Sequence, residues 1–239
     1  RAFVEVAREV TRETPIVAVK SGRTEAGAKA ASSHTGALAG SDRAYDAALR
    51  EAGVLRVPTV EGLFDAARAL AGQPLPGSRG VGIVTNAGGP GVMTTDAVGD
   101  SRLELASFAG RTVEALDAAL PGTANIYNPV DVIGDADLDR FDRAIDLVLS
   151  DPNVGAAVVL SAPVAVLSFE ALAEVVAERA DEHGVPVVTC LMGGERTDRA
   201  ADVLGEAGIP NYFDPARAVG SLDALWAYRE ARGRETGPP

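Results

Sequence analysis

Segments with helical periodicity alternate with short apolar segments along this chain of 239 residues, and this alternation constrains the fold more than any other feature. The pattern is typical of a parallel sheet whose strands are joined by helical crossovers. The predicted strands cover residues 16–19, 54–57, 80–84, 103–105, 156–160 and 186–191, with a last short strand that opens at Tyr212. The predicted helices cover residues 2–12, 42–52, 60–70, 91–99, 111–120, 137–150, 169–182, 196–207 and 215–232. The sequence therefore predicts an α/β protein.

A linker divides the chain into two predicted domains. Residues 71–78 contain two prolines and two glycines without apolar periodicity, so they favour neither helix nor strand. Residues 77–235 contain five predicted strands with intervening helices, which predicts a complete flavodoxin-like, doubly wound parallel sheet. Residues 1–76 contain only two predicted strands, too few for an independent core. We interpret them as the latter part of a second domain of the same type, whose exposed sheet edge favours pairing with another copy as a homo-oligomer.

Composition excludes several classes of partner. The chain carries 22 basic and 34 acidic residues, and this net charge of -12 opposes binding to nucleic acid or to an anionic membrane. No apolar run reaches the roughly 20 residues that span a bilayer. The first residues are amphipathic and charged, unlike a signal peptide, which predicts a cytoplasmic location. The single cysteine, Cys190, lies in an apolar run and is predicted to be a buried thiol.

A glycine-rich turn from Thr85 to Val92 follows a predicted strand and leads into a predicted helix. Glycines allow the backbone to approach a ligand closely, Pro90 suits a first helical turn, and free N–H groups at a helix start bind anions. The turn is therefore a candidate phosphate site. The alternative is a tight turn that needs glycine only for its φ angles. The spacing matches neither the dinucleotide fingerprint nor the P-loop.

His34 lies in a run of small residues and glycines from Ala31 to Gly40, which we interpret as a loop. No Cys, Asp or Glu stands near it at metal-ligand spacing, so no metal site is predicted. An imidazole can act as a nucleophile toward phosphorus and carry a phosphoryl group. A purely structural histidine is the alternative.

Two further residues carry weaker signals. Asp131 ends the string Asn128-Pro129-Val130-Asp131, where its carboxylate either caps a backbone turn or holds a neighbour of the histidine in place. His183 is predicted to stand at the C-terminus of a helix, where the helix dipole favours it.

Four strings occur together in this chain and in one known family. They are Lys20-Ser21-Gly22-Arg23-Thr24 with the residues to Ala28, Ser33-His34-Thr35-Gly36-Ala37-Leu38-Ala39-Gly40-Ser41, Thr85-Asn86-Ala87-Gly88-Gly89-Pro90-Gly91, and Asn128-Pro129-Val130-Asp131. In this order they resemble the nucleoside-diphosphate-forming acyl-CoA synthetases, which include the ADP-forming acetyl-CoA synthetases and relatives of succinyl-CoA synthetase. The resemblance covers nearly the whole chain.

The resemblance implies a reaction and the residues that perform it. In that family acyl-CoA and phosphate give an acyl phosphate, a histidine takes the phosphoryl group, and a mobile loop carries it to ADP. His34 matches this catalytic histidine, and the glycine-rich turn matches one of two helix N-termini that hold the phosphohistidine. The phosphate-binding candidates are Ser33, Thr35, Gly36, Asn86, Gly88, Gly89 and Gly91, and the candidates for support are Ser21, Gly22 and Asp131.

The resemblance also implies that the parent enzyme contains more than this chain. CoA, ADP or ATP, and Mg²⁺ are expected to bind to CoA-binding and ATP-grasp domains, on the same polypeptide or in a complex. We find no match here to those domains, to the first half of the histidine-bearing domain, or to its carboxylate upstream of the histidine. The fragment alone is therefore expected to be inactive and to hold no cofactor of its own.

Two other functions compete with this interpretation. One is a non-catalytic regulatory module like the synthetase-like region of certain protein acetyltransferases, although such regions tend to lose the histidine that this chain retains. The other is a flavodoxin-like domain that binds a flavin or a small anion. The acyl group remains undetermined by the sequence.

Overall fold

The computed structural model describes residues 2–35 and 41–235, with the backbone alone for His34, Thr35, Arg234 and Glu235. The chain forms two compact units, one of Arg1–Ala67 with Ala227–Pro239 and the other of Arg68–Trp226. The domain boundary after Pro76 remains a prediction. Within the described ranges, no helix has the length and apolar character needed to cross a membrane.

Most helices and strands lie where they were predicted, with ends that differ by a few residues. The helices are α1 (Ala2–Val10), α2 (Glu25–Thr35), α3 (Asp42–Glu51), α4 (Val60–Gly72), α5 (Gly88–Gly99), α6 (Gly110–Ala119), α7 (Leu138–Leu149), α8 (Phe169–His183), α9 (Asp198–Glu206) and α10 (Pro215–Glu235), with a 3-10 turn at Gly194–Thr197. The strands are β1 (Val17–Val19), β2 (Leu55–Val57), β3 (Gly80–Thr85), β4 (Glu104–Leu105), β5 (Val130–Asp131), β6 (Ala156–Ser161) and β7 (Val187–Leu191).

In the first unit, β1 and β2 pair in parallel, with Val17 opposite Leu55. A small core of Ala7, Leu49, Ala52 and Val54 packs beside them. The loop predicted from Ala31 to Gly40 is wrong as far as Thr35, because residues Glu25–Thr35 form helix α2. Its alanines have high helix propensity, and Thr24 Oγ1 accepts a hydrogen bond from the Gly27 N–H at the helix start.

The second unit contains a five-stranded parallel sheet, in which four strands follow the order β4-β3-β6-β7 and the fifth, β5, pairs with β3. Both β4 and β5 pair with the same edge of β3, β4 at Gly80 and Val81, β5 at Val84 and Thr85. Strand β5 was predicted as coil, since a two-residue strand leaves no periodicity to recognise. The strand predicted at Tyr212 is reduced to a single bridge between Thr189 and Asn211.

Helices cover both faces of this sheet, which makes it doubly wound. Along β6, Val158 and Leu160 face a core with α5 and α10, whereas Ala157 and Val159 face a core with α6, α7, α8 and α9. All four side chains are almost fully buried. This burial on both faces explains the continuous apolar run of β6, because strands of parallel sheets lose the alternation of half-exposed strands. The predicted flavodoxin-like architecture is confirmed.

Cys190 is buried in β7, as predicted, and burial raises the pKa of its thiol to about 12, with a smaller contribution from Asp214. Because the thiolate is the nucleophile, we expect iodoacetamide to alkylate Cys190 about 1000-fold more slowly in the native chain than in the unfolded chain. The alkylation is run at pH 8 with and without urea, samples are quenched at intervals, and mass spectrometry measures the alkylated fraction in each. Comparable rates would contradict a sealed core at β7.

Candidate functional site

The carboxyl ends of β3 and β6 form the edge at which a doubly wound sheet binds ligands, because the connections diverge to opposite faces there. Asn86 follows β3 and is buried. Its side chain donates to the Ala162 carbonyl (3.1 Å) and accepts from the Ala162 N–H (2.8 Å). Asn86 therefore joins the loops that follow β3 and β6. The side-chain amide of Asn86 is already paired with Ala162, so only the main chain of this residue is available to bind a phosphate.

Helix α5 begins at Gly88, three residues before the predicted start, so the glycines form its first turn. Neither Gly88 nor Gly89 has a positive φ. A Cβ at Gly89 would meet nothing within 4 Å, and one at Gly88 would meet only Asp131 Oδ2 at 3.6 Å. Neither the backbone angles nor the local packing therefore requires glycine at these two positions. Gly91 differs, because a Cβ there would lie 3.1 Å from Thr85 Cγ2.

The start of α5 presents unpaired donors to solvent. Ala87 stands at the N-cap and supplies no side-chain acceptor. The N–H groups of Gly88 and Gly89 find no hydrogen-bond acceptor among the described residues, and both glycines are exposed. The positive end of the helix dipole adds to these donors. This combination suits an anion that approaches along the helix axis.

Asp131 lies beside this helix start. Its Oδ1 accepts a hydrogen bond from the Ile133 N–H (2.9 Å), and Ile133 has a φ of 72°, a left-handed conformation that is rare for a β-branched residue. The carboxylate thus caps a turn, one of its two predicted roles. Its other oxygen, Oδ2, faces Gly88. The site therefore combines amide donors with one neighbouring carboxylate.

Asn128 replaces a missing stretch of strand between β4 and β5. Its carboxamide accepts from the Ile83 N–H (3.0 Å) and donates to the carbonyls of Val81 (2.7 Å) and Ala106 (2.9 Å). The peptide bond from Asn128 to Pro129 is cis. The sequence did not predict this role of Asn128, since an Asn-Pro pair does not reveal which strand the amide will contact.

The candidates of the first unit lie along α2 and the loop before it. His34 and Thr35 are the last two residues of α2, and Gly36 lies outside the described residues. The Ser33 hydroxyl donates to the Lys29 carbonyl (3.0 Å) within the helix. Gly22 has a φ of 74°, so the loop needs glycine there.

The carboxyl end of β1 in this unit is basic. Lys20 donates to the Ser21 carbonyl, and its Nζ lies 4.6 Å from the centroid of the Tyr45 ring. A hydrogen bond from Arg56 lowers the pKa of Asp42, helped by the charges of Arg23 and Lys20. This accumulation of cations suits a segment that handles phosphoryl groups.

Two shallow cavities of about 360 and 370 Å³ lie at the other edge of the second unit's sheet, where β7 begins. Gly72 and Ile209 line both of them, and the Val187 N–H beside them is already paired with Gln73 Oε1 at 2.7 Å. We therefore assign the candidate site to the exposed start of α5.

Comparisons with known proteins match both parts of the chain. The succinyl-CoA ligase-like flavodoxin domain matches residues 1–70, and the Ligase-CoA domain matches residues 81–236. Over 98% of its length the chain is 43% identical to the ADP-forming acetate–CoA ligase I of Archaeoglobus fulgidus. It is 42% identical, again over 98%, to subunit alpha of the ADP-forming acetate–CoA ligase I of Pyrococcus furiosus.

A solved structure also superimposes closely. The dinucleotide-forming acetyl-coenzyme A synthetase 1 of Candidatus Korarchaeum cryptofilum, in complex with phosphate and ADP, matches 99% of this chain with a TM-score of 0.91 and 33% identity. The chain covers 33% of the Archaeoglobus protein, and 52% of both the Pyrococcus subunit and the Korarchaeum chain. It thus spans between a third and a half of these relatives.

Proposed function

Because this chain belongs to the Ligase-CoA domain family of ADP-forming acyl-CoA synthetases, we propose that it is the phosphoryl-carrying part of such a ligase. The reaction is acyl-CoA, phosphate and ADP to carboxylic acid, CoA and ATP. Phosphate oxygen attacks the thioester carbonyl and releases CoA as the acyl phosphate forms. His34 then attacks phosphorus, and the carboxylate leaves. The phosphohistidine finally gives its phosphoryl group to ADP.

The observation that best supports this proposal is the start of α5. Its first two residues are glycines that neither φ nor packing requires, and their N–H groups are exposed and unpaired among the described residues. An approaching phosphate oxygen explains both features, because it needs donors and room where a Cβ would stand. In this proposal the main chain of Gly88 and Gly89 holds phosphate or the phosphoryl group.

Asp131 sets a condition on this site. A carboxylate next to Gly88 repels a fully ionised phosphate, unless the phosphate keeps a proton that it can donate to Oδ2. The proposal therefore assigns Asp131 a supporting role in which it orients the bound phosphate. CoA, ADP and Mg²⁺ belong to CoA-binding and ATP-grasp segments of the parent ligase, and no step in this chain passes through the metal.

Replacing Gly89 with alanine tests the α5 site. We expect the apparent affinity of the full-length ligase for phosphate to fall at least about 10-fold, because hydrogen bonds to a charged group contribute about 1.5–3 kcal/mol and the methyl group blocks one. The unfolding free energy of the chain should instead stay constant or rise by up to about 1 kcal/mol, since alanine favours helix. Steady-state kinetics with varied phosphate and urea unfolding measure the two effects.

Gly99→Ala is the matched control for this experiment. Gly99 ends the same helix, and a Cβ there would also meet nothing within 4 Å. The Gly99→Ala variant should leave the apparent affinity of the ligase for phosphate unchanged. If both variants had the same phosphate dependence as the unmodified ligase, the start of α5 would not be the phosphate site.

A further inference from the structure

Three side chains that could coordinate a metal ion lie together on α7 and α8, far along the chain from the residues assigned above. His183 Nε2 lies 2.8 Å from Asp146 Oδ1. Potential ligand atoms of Asp146, Glu182 and His183 all lie within 4.8 Å of one another. We propose that these three residues form a binding site for a zinc-class divalent cation, independent of the acyl-CoA ligase function.

The donor set and the spacing suit such a cation. One imidazole nitrogen with two carboxylates is a set that zinc accepts, and water completes its four positions. Zinc–nitrogen and zinc–oxygen bonds of about 2.0–2.1 Å in a tetrahedron place ligand atoms about 3.3 Å apart. The 2.8 Å contact between His183 and Asp146 would therefore open by about 0.5 Å as the metal replaces the shared proton.

The local charge also favours a cation. Three carboxylates, those of Asp142, Asp146 and Glu182, lie close to the guanidinium of Arg179. The carboxylates in this cluster thus outnumber the guanidinium that lies close to them. His183 is the last residue of α8, where the negative end of the helix dipole lies. Its side chain is only 19% exposed, so the imidazole is held in place.

Glu182 is the ligand that must change partner. Arg179 donates to Glu182 Oε2 (2.6 Å), but it also makes two hydrogen bonds to Asp142, at 2.7 and 3.2 Å. Arg179 can thus keep Asp142 when Glu182 turns to the metal.

The position of the cluster indicates a structural role. Helices that follow parallel strands run back along the sheet, so their last turns lie at the edge opposite to the start of α5. Asp146 lies in the last turn of α7, and His183 closes α8. A metal there would join two neighbouring helices of the second unit without reaching the phosphate candidates.

The chain contains two histidines, so replacing each in turn shows which one binds the metal. The purified 239-residue chain is stripped with EDTA and titrated with Co²⁺, followed by its visible absorption, and the cobalt is then displaced with Zn²⁺. We expect one tightly bound ion per chain and a midpoint of thermal unfolding that rises with Zn²⁺. His183→Ala should abolish the cobalt spectrum, whereas His34→Ala should preserve it.

Glu182→Gln serves as the second variant, because its side chain is 56% exposed and its replacement leaves the contact between His183 and Asp146 intact. We expect it to weaken Zn²⁺ binding about 10-fold or more while the urea midpoint without metal stays unchanged. The proposal is overturned if the chain binds no cobalt saturably, if His183→Ala binds it normally, or if His34→Ala loses it. Unchanged affinity in Glu182→Gln would overturn the three-ligand site.

Discussion

His34→Ala is expected to lower ATP formation by the full-length ligase at least about 10⁴-fold, which is the scale of loss when a catalytic nucleophile is removed. In the proposed reaction the imidazole is the only carrier of the phosphoryl group between acyl phosphate and ADP. Alanine cannot form the phosphorylated intermediate. Binding of acyl-CoA should be little affected, so kcat and kcat/KM should fall together.

The intermediate itself can be measured. Incubation of the ligase with ATP labelled at the γ-phosphate should give label on the protein that is lost in acid and stable in base, as expected of a phosphohistidine. His183→Ala is the matched control, because it removes the other histidine of these 239 residues and should keep the label. Label that persists in His34→Ala would refute the assignment. No label in the unmodified protein would favour the regulatory module over the ligase.

Asn128→Ala is expected to lower the unfolding free energy of the chain by about 3 kcal/mol, because it leaves the buried Ile83 N–H without an acceptor and removes two further hydrogen bonds. Ile83 lies in the central strand β3 and is fully buried, so water cannot replace the lost partner without entering the core. Urea unfolding followed by circular dichroism measures the change.

Two further variants test whether the loss of stability comes from the hydrogen bonds of the Asn128 carboxamide. Asn128→Asp keeps an acceptor for Ile83 but sets a carboxylate oxygen against the carbonyls of Val81 and Ala106, so its effect should be at least as large as that of alanine. Tyr127→Ala removes a larger side chain that is 62% exposed, and it should change stability by less than about 0.5 kcal/mol. Equal effects of Asn128→Ala and Tyr127→Ala would refute the role of the carboxamide as a substitute strand.

Sequence reasoning reached the layered architecture because strands and helices leave local periodic signals. The apolar run of β6 and the amphipathic pattern of α7 are both such signals, and both elements lie where they were predicted. The loop predicted around His34 was wrong at α2, because the helix propensity of the alanines outweighed the glycines and small residues that suggested a loop. Strand β5 was also missed, since a two-residue strand is created by its partner β3.

The candidate site was predictable in part for the same reason. Glycines between a strand and a helix are a local pattern, and they indicated the phosphate candidate at Gly88 and Gly89. Only the tertiary structure shows that neither the backbone angles nor the packing requires glycine at these two positions. The roles of Asn86 and Asn128 depended on contacts with Ala162 and Ile83 that no local pattern contains.

The sequence by itself determined the α/β layering, the glycine-rich helix start and the resemblance that singles out His34. These are properties of short segments, in which periodicity, backbone freedom and side-chain chemistry act within a few residues. Only the tertiary structure decided that the Asn128 amide completes the edge of β3, that Asp131 faces Gly88, and that Asp146 meets Glu182 and His183. Such contacts join residues distant in the chain, and they depend on strand register and helix packing, which arise only when the whole sheet has formed.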